Sequence, residues 1–371
     1  MADPPRRPGG SLELNERSVD FSLFPAVRRQ RQWHQSDTIF AVSPWAVMQG
    51  AINARLSGKT RAEPSAFLRQ GHDFYVAARE KVSANPLLYY YAFLNIGKAL
   101  LRVRRVKVSL DRAHHGLGEL APDKGGGLTL DTAKLVVRNS SKRLYVFPAV
   151  LDALGYPAPA DGTQLKVSEL LSQIVVGHRQ WRDAEGHDER FVRVEPEFRH
   201  DSNERAVWVC LYVNQADLSR YAITPTQVLT DAKLEPLFRL IPSLKPEAHC
   251  FELRKPERYT KDPVQVLQKL ANSVRPYLWA IVSAIPGTAY RRYYLHLTPP
   301  GGERQPQIGS LWATLYYLGS VVRYRPHLFE QLTSGPFGPF ITEFISAQPE
   351  QMLYMLASEM CEREVAQPAI A

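Results

Sequence analysis

The chain has 371 residues, which suits two domains or one large domain with an insertion, and its 44% hydrophobic content is ample for a buried core. A formal net charge of +9 admits an acidic partner, either nucleic acid, a nucleotide-like anion or an acidic protein. No run of about 18 apolar residues occurs, so no transmembrane helix is expected. No apolar stretch follows Arg6 and Arg7, so no secretory signal is expected either. The three cysteines, Cys210, Cys250 and Cys361, are far apart and odd in number, which fits a reducing, cytoplasmic setting better than a disulfide framework. None belongs to a C-x-x-C pair, which removes a zinc ribbon.

Residues 1–10 and the tail from about Glu364 lack periodicity and are expected to be loose. Ser43–Pro44 then reads as an N-cap with proline in the first helical turn, opening a helix to about Ser57 that stops at Gly58. A second helix is predicted from Pro64 to about Ser83, with Phe67, Phe74, Ala78 and Val82 on its apolar face. A third starts at Pro86. Leu87, Tyr90, Leu94 and Leu101 fall on one of its stripes, and Tyr91, Asn95, Lys98, Arg102 and Arg105 on another. The middle changes character, with short alternating runs around a turn at Asn139–Ser141, a helix at Lys166–Val176 and strands in "RFVRVEPEF", "RAVWVCLYV" and "AHCFELRK". Thr226–Leu240 reads as helix. Helices return at Pro263–Ile285 and at Gly309–Val322, the latter followed by Arg323 and Arg325 and stopped by Pro326. Phe340–Ser346 and Pro349–Arg363 read as two more.

Four segments, "NPLLYYYAFLNIGKALL" (Asn85–Leu101), "HHGL" (His114–Leu117), "LYYLGSVVRYRPHLFEQL" (Leu315–Leu332) and "FITEFI" (Phe340–Ile345), resemble the YaaC-like family in order and spacing. The paired features P-L-L-x-Y-Y and R-Y-x-P are the most telling, and the resemblance spans roughly Ala41 to Glu362. It implies an intracellular bacterial protein and carries no established activity with it.

The chemistry-bearing residues fall into clusters. Between Lys98 and Arg112 stand Lys98, Arg102, Arg104, Arg105, Lys107 and Arg112 against a single acid, Asp111, so one short segment holds more than half of the net charge. Lys98, Arg102 and Arg105 share a helical face with Tyr91, a pattern that can hold phosphates and stack a base, although charge runs are commonly solvated surface. Arg112, His114 and His115 form the second cluster. One histidine can serve as general acid/base while Arg112 holds a phosphate, as in HEPN-type ribonucleases, but the R-x4–6-H spacing of those enzymes is not met. The bland alternative is a loop whose histidines fix a turn before Gly116. The third cluster is Arg323, Tyr324, Arg325 and His327, where helix-end capping competes with a role in anion binding. His178, His187 and His200 lack metal-ligand spacing and read as solvated loop residues, so no metal is expected. Asp231–Ala–Lys233, with Asp217 upstream, matches the letters of a nuclease motif but falls in a predicted helix. Gly125–Gly127 reads as a plain flexible turn, and no cofactor motif occurs. The blocks Tyr89–Tyr91 and Tyr316–Tyr317 read as helix packing.

The expectation is an α+β, predominantly helical protein. It comprises a loose arm (1–40), an N-terminal helical region (41–122), an α+β insert of short antiparallel strands (123–260) and a C-terminal helical region (261–364) packed on the N-terminal one. The leading functional reading is binding of nucleic acid or a nucleotide-like anion through Lys98, Arg102, Arg105, Arg323, Arg325 and His327. A metal-independent HEPN-like ribonuclease using His115, His114 and Arg112 is the second, and an interaction subunit that engages an acidic protein the third. The sequence leaves the oligomeric state open, and it leaves open whether the clusters meet.

Overall fold

The computed structural model describes residues 5–25, 38–80, 85–106, 109–110, 112–120, 129–140, 143–282, 291–299 and 301–368. Lys107, Asp111, Gly125–Gly127, Ser141, Val82–Ser83 and the stretch through Ile285 lie outside the described residues. The α-helices are α1 (Pro44–Arg55), α2 (Ala62–Glu80), α3 (Asn85–Val103), α4 (Val146–Ala153), α5 (Val167–Ser172), α6 (His178–Glu185), α7 (Gln215–Arg220), α8 (Pro225–Asp231), α9 (Val264–Val274), α10 (Gln307–Tyr324), α11 (Pro326–Ser334) and α12 (Gly338–Cys361). They stand beside antiparallel sheets, so the protein is mixed α+β.

The chain divides into two compact units. One comprises Met1–Phe40, Glu189–Gly302 and Glu362–Ala371, the other Ala41–Asp188 and Glu303–Cys361. The first is built on an antiparallel sheet in which three hairpins lie side by side. Strands Phe238–Ile241, Ala248–Leu253, Ala206–Asn214, Phe191–Asp201, Arg291–His296 and Trp279–Val282 lie side by side in that order, every pair antiparallel. One face is apolar. Phe198, Val209, Leu211 and Phe251 share a core with Leu267 and Leu270 of α9. The other face carries Arg199, Cys210, Arg239 and Glu252, since Cys210 pairs with Glu252 and Glu197, and Arg239 pairs with Glu252. Gly10–Ser11 pairs with Arg199–His200, Leu12 is buried, and Arg7 reaches the carbonyls of Leu253 and Arg254 and the carboxylate of Glu252.

The predicted helix Pro263–Ile285 is shorter than its apolar pattern suggests. Pro276 interrupts it, a short 3-10 turn covers Arg275–Tyr277, and the β-branched run at Trp279–Val282 joins the sheet. The predicted helix Thr226–Leu240 is likewise two elements. Thr224 and Gln227 form a reciprocal capping box that starts α8, Lys233 takes a left-handed φ of 55° after it, and Phe238–Ile241 is a strand. His200 lies on a strand and bonds Tyr259, and His178 is buried and stacks on Trp181, so these two are not solvated loop residues; His187 is in a loop, half-buried, with its ring on Trp181.

In the second unit α3 is the central element and packs on α2, α4, α10 and α12. Its Tyr90, Leu94 and Leu101 are buried as their stripe predicts, and the axial glycine Gly97 lets Trp312 of α10 lie directly on the backbone. The α2 face matches prediction at Ala78 and differs at Phe67 and Phe74. Pro64, Leu68, Gly71, Tyr75 and Ala78 point inward, and Phe67 and Phe74 lie at the flank, where they meet Lys98 and Tyr91 of α3. The C-terminal pattern also differs. Phe340–Ser346 and Pro349–Arg363 belong to one helix, α12, which continues through Pro349 because Phe344 and Met352 on either side are fully buried. Beyond Pro326 the chain turns into α11, since proline suits a first helical turn as well as it ends a helix. A small antiparallel sheet, Leu117–Glu119, Lys134–Val137 and Gln164–Lys166, completes the unit.

Candidate functional site

The segment after α3 is held by backbone geometry. Arg105 takes a left-handed φ of 58°, and Val106 N–H closes on Leu101 C=O at 2.9 Å, a Schellman-type stop. Arg105 therefore lies beyond the helix, so the predicted stripe of Lys98, Arg102 and Arg105 ends after two members. Arg102 is committed to Glu63 at 2.5 Å, and Arg104 reaches the backbone carbonyl and carboxylate of Glu359. Arg112 and His114 are exposed, His114 with its ring 5.6 Å from Tyr145.

The turn predicted at the paired histidines is present. His114 C=O accepts from Val146 N–H at 2.9 Å and His115 C=O from Phe147 N–H at 3.1 Å, which satisfies donors in the first turn of α4. Gly116 follows with a φ of 88°, and a Cβ there would stand 2.7 Å from Cδ of Pro148. That anchoring aims the His115 ring at α3 and α10. Its Nδ1 lies 2.6 Å from the Tyr90 hydroxyl, its ring is stacked on Tyr90 at 5.4 Å, and Tyr91 and Tyr316 each lie 6.2 Å from it.

The proton arrangement follows from burial. Tyr90 is 3% exposed and His115 Nδ1 is the sole acceptor for its hydroxyl among the described residues, so the phenol donates to Nδ1. His115 then carries its own proton on Nε2 and presents an N–H donor there. Desolvation holds the His115 pKa below its usual value of 6.5, and the neighbouring cations Lys98, Arg323 and His114 push it the same way. Burial also keeps Tyr90 protonated, with Tyr316 and Tyr91 adding to the effect.

Two of the predicted cations join His115. Lys98 is half-buried over the Phe67 ring at 5.1 Å, its pKa lowered by desolvation, and it makes no ion pair among the described residues. Arg323, on the last turn of α10, donates to the Tyr91 hydroxyl at 3.0 Å and also lacks an acidic partner among the described residues. Arg325 instead binds Glu119 of the small sheet and caps α10 through its N–H to Val321 C=O at 2.8 Å. His327 is exposed on the first turn of α11 and makes none of these contacts. Lys98, His115 and Arg323 thus converge, Arg325 flanks them in an ion pair, and Arg102, Arg105, Arg112, His114 and His327 lie outside the cluster.

Tyr90 and Tyr316, read from the sequence as packing, and Tyr91, read both as packing and as a stacking partner on the face of Lys98, complete the site, while Glu119, not singled out, holds Arg325 at its flank. A signal for them exists in the spacing, since Tyr91–Lys98 and Tyr316–Arg323 are both i, i+7 pairs that place a tyrosine two helical turns before a cation. Among the described residues no group of three or more His, Cys, Asp or Glu side chains is placed to hold a metal, and no helix is long and apolar enough to cross a membrane.

Fold and cluster together define a mixed α+β protein whose helical unit carries a tyrosine-lined group of cations around a neutral histidine. The chain belongs to the YaaC-like protein family, whose sequence model matches residues 30–360 and so includes α3, the His114–His115 loop and α10. Comparison with curated proteins and with solved structures gives no match.

Proposed function

We propose that the protein binds a phosphate-bearing anion, a nucleotide or nucleic acid, at Lys98, His115 and Arg323. One observation carries the reading: three donors without an acidic partner among the described residues, two of them cationic, converge, and Arg323 joins Lys98 and His115 from more than 200 residues away in sequence. Cations packed together without an acid repel one another, and an anion would relieve that repulsion. The test is equilibrium binding of a single-stranded RNA hexamer at two salt concentrations, with wild type and Lys98→Ala/Arg323→Ala. The expected result is binding that weakens with salt, in line with counterion release, and a further loss in the double variant. Salt-insensitive or absent binding, or a double variant equal to wild type, would overturn it.

The tuning of His115 favours a second reading, metal-independent phosphodiester cleavage. Protonated from solvent, the His115 imidazolium would donate its Nε2 proton to the departing oxygen and return to neutral imidazole, while the RNA's own 2′-hydroxyl attacks the phosphorus and releases its proton to water; in the imidazolium form Nδ1–H would donate to the Tyr90 hydroxyl. Incubation with RNA in EDTA, wild type against His115→Gln, separates the readings. Cleavage that the variant loses supports it, and intact RNA with undiminished binding leaves the protein a binder.

A further inference from the structure

We infer that Tyr324 is a stacking platform for a nucleobase, so that the anion bound at Lys98, His115 and Arg323 is base-bearing, a nucleotide or single-stranded nucleic acid. The inference rests on the anion-binding reading and specifies its ligand.

Tyr324 is the last residue of α10 and 66% exposed, the most exposed large hydrophobic side chain among the described residues. A single exposed aromatic is ordinary; its surroundings are not. The guanidinium of Arg323 lies 5.0 Å from the centre of its ring, and the same guanidinium donates to the Tyr91 hydroxyl beside His115. One arginine therefore joins the exposed ring to the anion cluster, and the gap between them is the length of one side chain.

The backbone that carries the ring is held on both sides in sequence. Arg323 is tied to Tyr91, and Arg325 is tied to Glu119 and to the end of the helix, just before Pro326 starts α11. A ring on an anchored backbone with a guanidinium over one face loses less freedom on binding than one on a loose segment, which favours stacking. Aromatic–base stacking tolerates any base, and an arginine over the same aromatic adds a cation–π contribution. A phosphate in the cluster and its base on Tyr324 would bridge the two halves of one site.

The test uses the full chain and four probes: inorganic pyrophosphate, a nucleoside monophosphate, a single-stranded RNA hexamer, and an abasic hexamer with the same phosphate backbone. Tyr324→Ala is expected to weaken the base-bearing probes by roughly ten-fold, stacking being worth about 5- to 150-fold per base, and to leave pyrophosphate and the abasic hexamer unchanged. Tyr324→Trp is expected to restore binding, and its added fluorescence to be quenched by the base-bearing probes alone. His115→Gln and Lys98→Ala are expected to weaken all four. A stronger effect on the hexamer than on the monophosphate identifies the nucleic acid, and equal effects identify the nucleotide. If Tyr324→Ala weakens abasic and base-bearing probes equally, or neither, while Lys98→Ala weakens both, stacking is refuted and the anion site stands. If wild type binds none of the four, both readings fall.

Discussion

Gly97→Ala and Gly50→Ala are the same substitution in the middle of two helices of one unit, and they should move stability in opposite directions. In a helix interior, alanine is favoured over glycine by about 0.8–1.0 kcal/mol. At Gly50, on the exposed side of α1, an added Cβ meets nothing within 4 Å, so the variant should be more stable by up to about 1 kcal/mol. At Gly97, the Cβ would fall 2.4 Å from Cη2 of Trp312 and 3.2 Å from Cγ2 of Val150. Relief requires a shift of about 1 Å by a tryptophan that is 1% exposed and enclosed by its own helix. Overpacking of this kind costs about 1–3 kcal/mol, and the size of the shift places it at the upper end. The net expectation is a loss of about 1–2 kcal/mol, so the two variants should differ by about 2–3 kcal/mol. Urea denaturation followed by tryptophan fluorescence measures both, and because both glycines lie in the same unit the same transition reports them. A Gly97→Ala protein as stable as Gly50→Ala would refute the close helix approach on which the placement of Tyr90 and His115 depends.

The depressed pKa of His115 has a definite sign. Above about pH 7.5 the folded and unfolded states are both neutral there and it contributes nothing. As pH falls through 6.5 the unfolded chain takes up the proton first, so stability falls, and His115→Gln should remove that part of the decline in urea midpoints between pH 7.5 and 5. After desolvation, Lys98 from α3 and Arg323 from α10 set the shift, with a smaller contribution from the adjacent His114. On the sheet of the other unit Glu252 is fully buried between Arg239 at 2.7 Å and Arg7 at 3.4 Å, so Arg239→Ala, which leaves that carboxylate with the longer contact alone, should cost about 3–5 kcal/mol in urea denaturation. A loss under 1 kcal/mol would show that Arg7 suffices. Cys210 and Cys250 are buried, and hydrogen bonding to Cys250 together with burial holds the Cys210 thiol far above its usual range, so a thiol reagent should label half-exposed Cys361 in the native protein and the other two only after unfolding. Rapid native labelling at Cys210 would contradict the packing of that sheet face.

The helices expected to open at Pro44 and Pro86, which start at Pro44 and Asn85, the paired strands Phe191–Asp201 and Ala206–Asn214, and the turn before Gly116 were legible, because each rests on local rules: proline in a first turn, alternation along a strand, a glycine at positive φ; the helix expected from Gly309 starts two residues earlier, at Gln307. Local pattern misled where tertiary partners decided. Pro349 reads as a break but is carried through by burial on both flanks, and Trp279–Val282 reads as the end of a helix but finds a strand partner in Arg291–His296. The site divides in the same way. The sequence by itself determined that cations concentrate between Lys98 and Arg112 and again at Arg323 and Arg325, and that a histidine pair lies between. Only the tertiary structure decided which of them matter together. It spent Arg102 on Glu63, Arg104 on Glu359 and Arg325 on Glu119, put Arg105 past the helix stop, and left Lys98 and Arg323 beside His115. The reason is that an ion pair or a shared cluster depends on distances across helices packed together, and charge counted along the chain contains none of those distances.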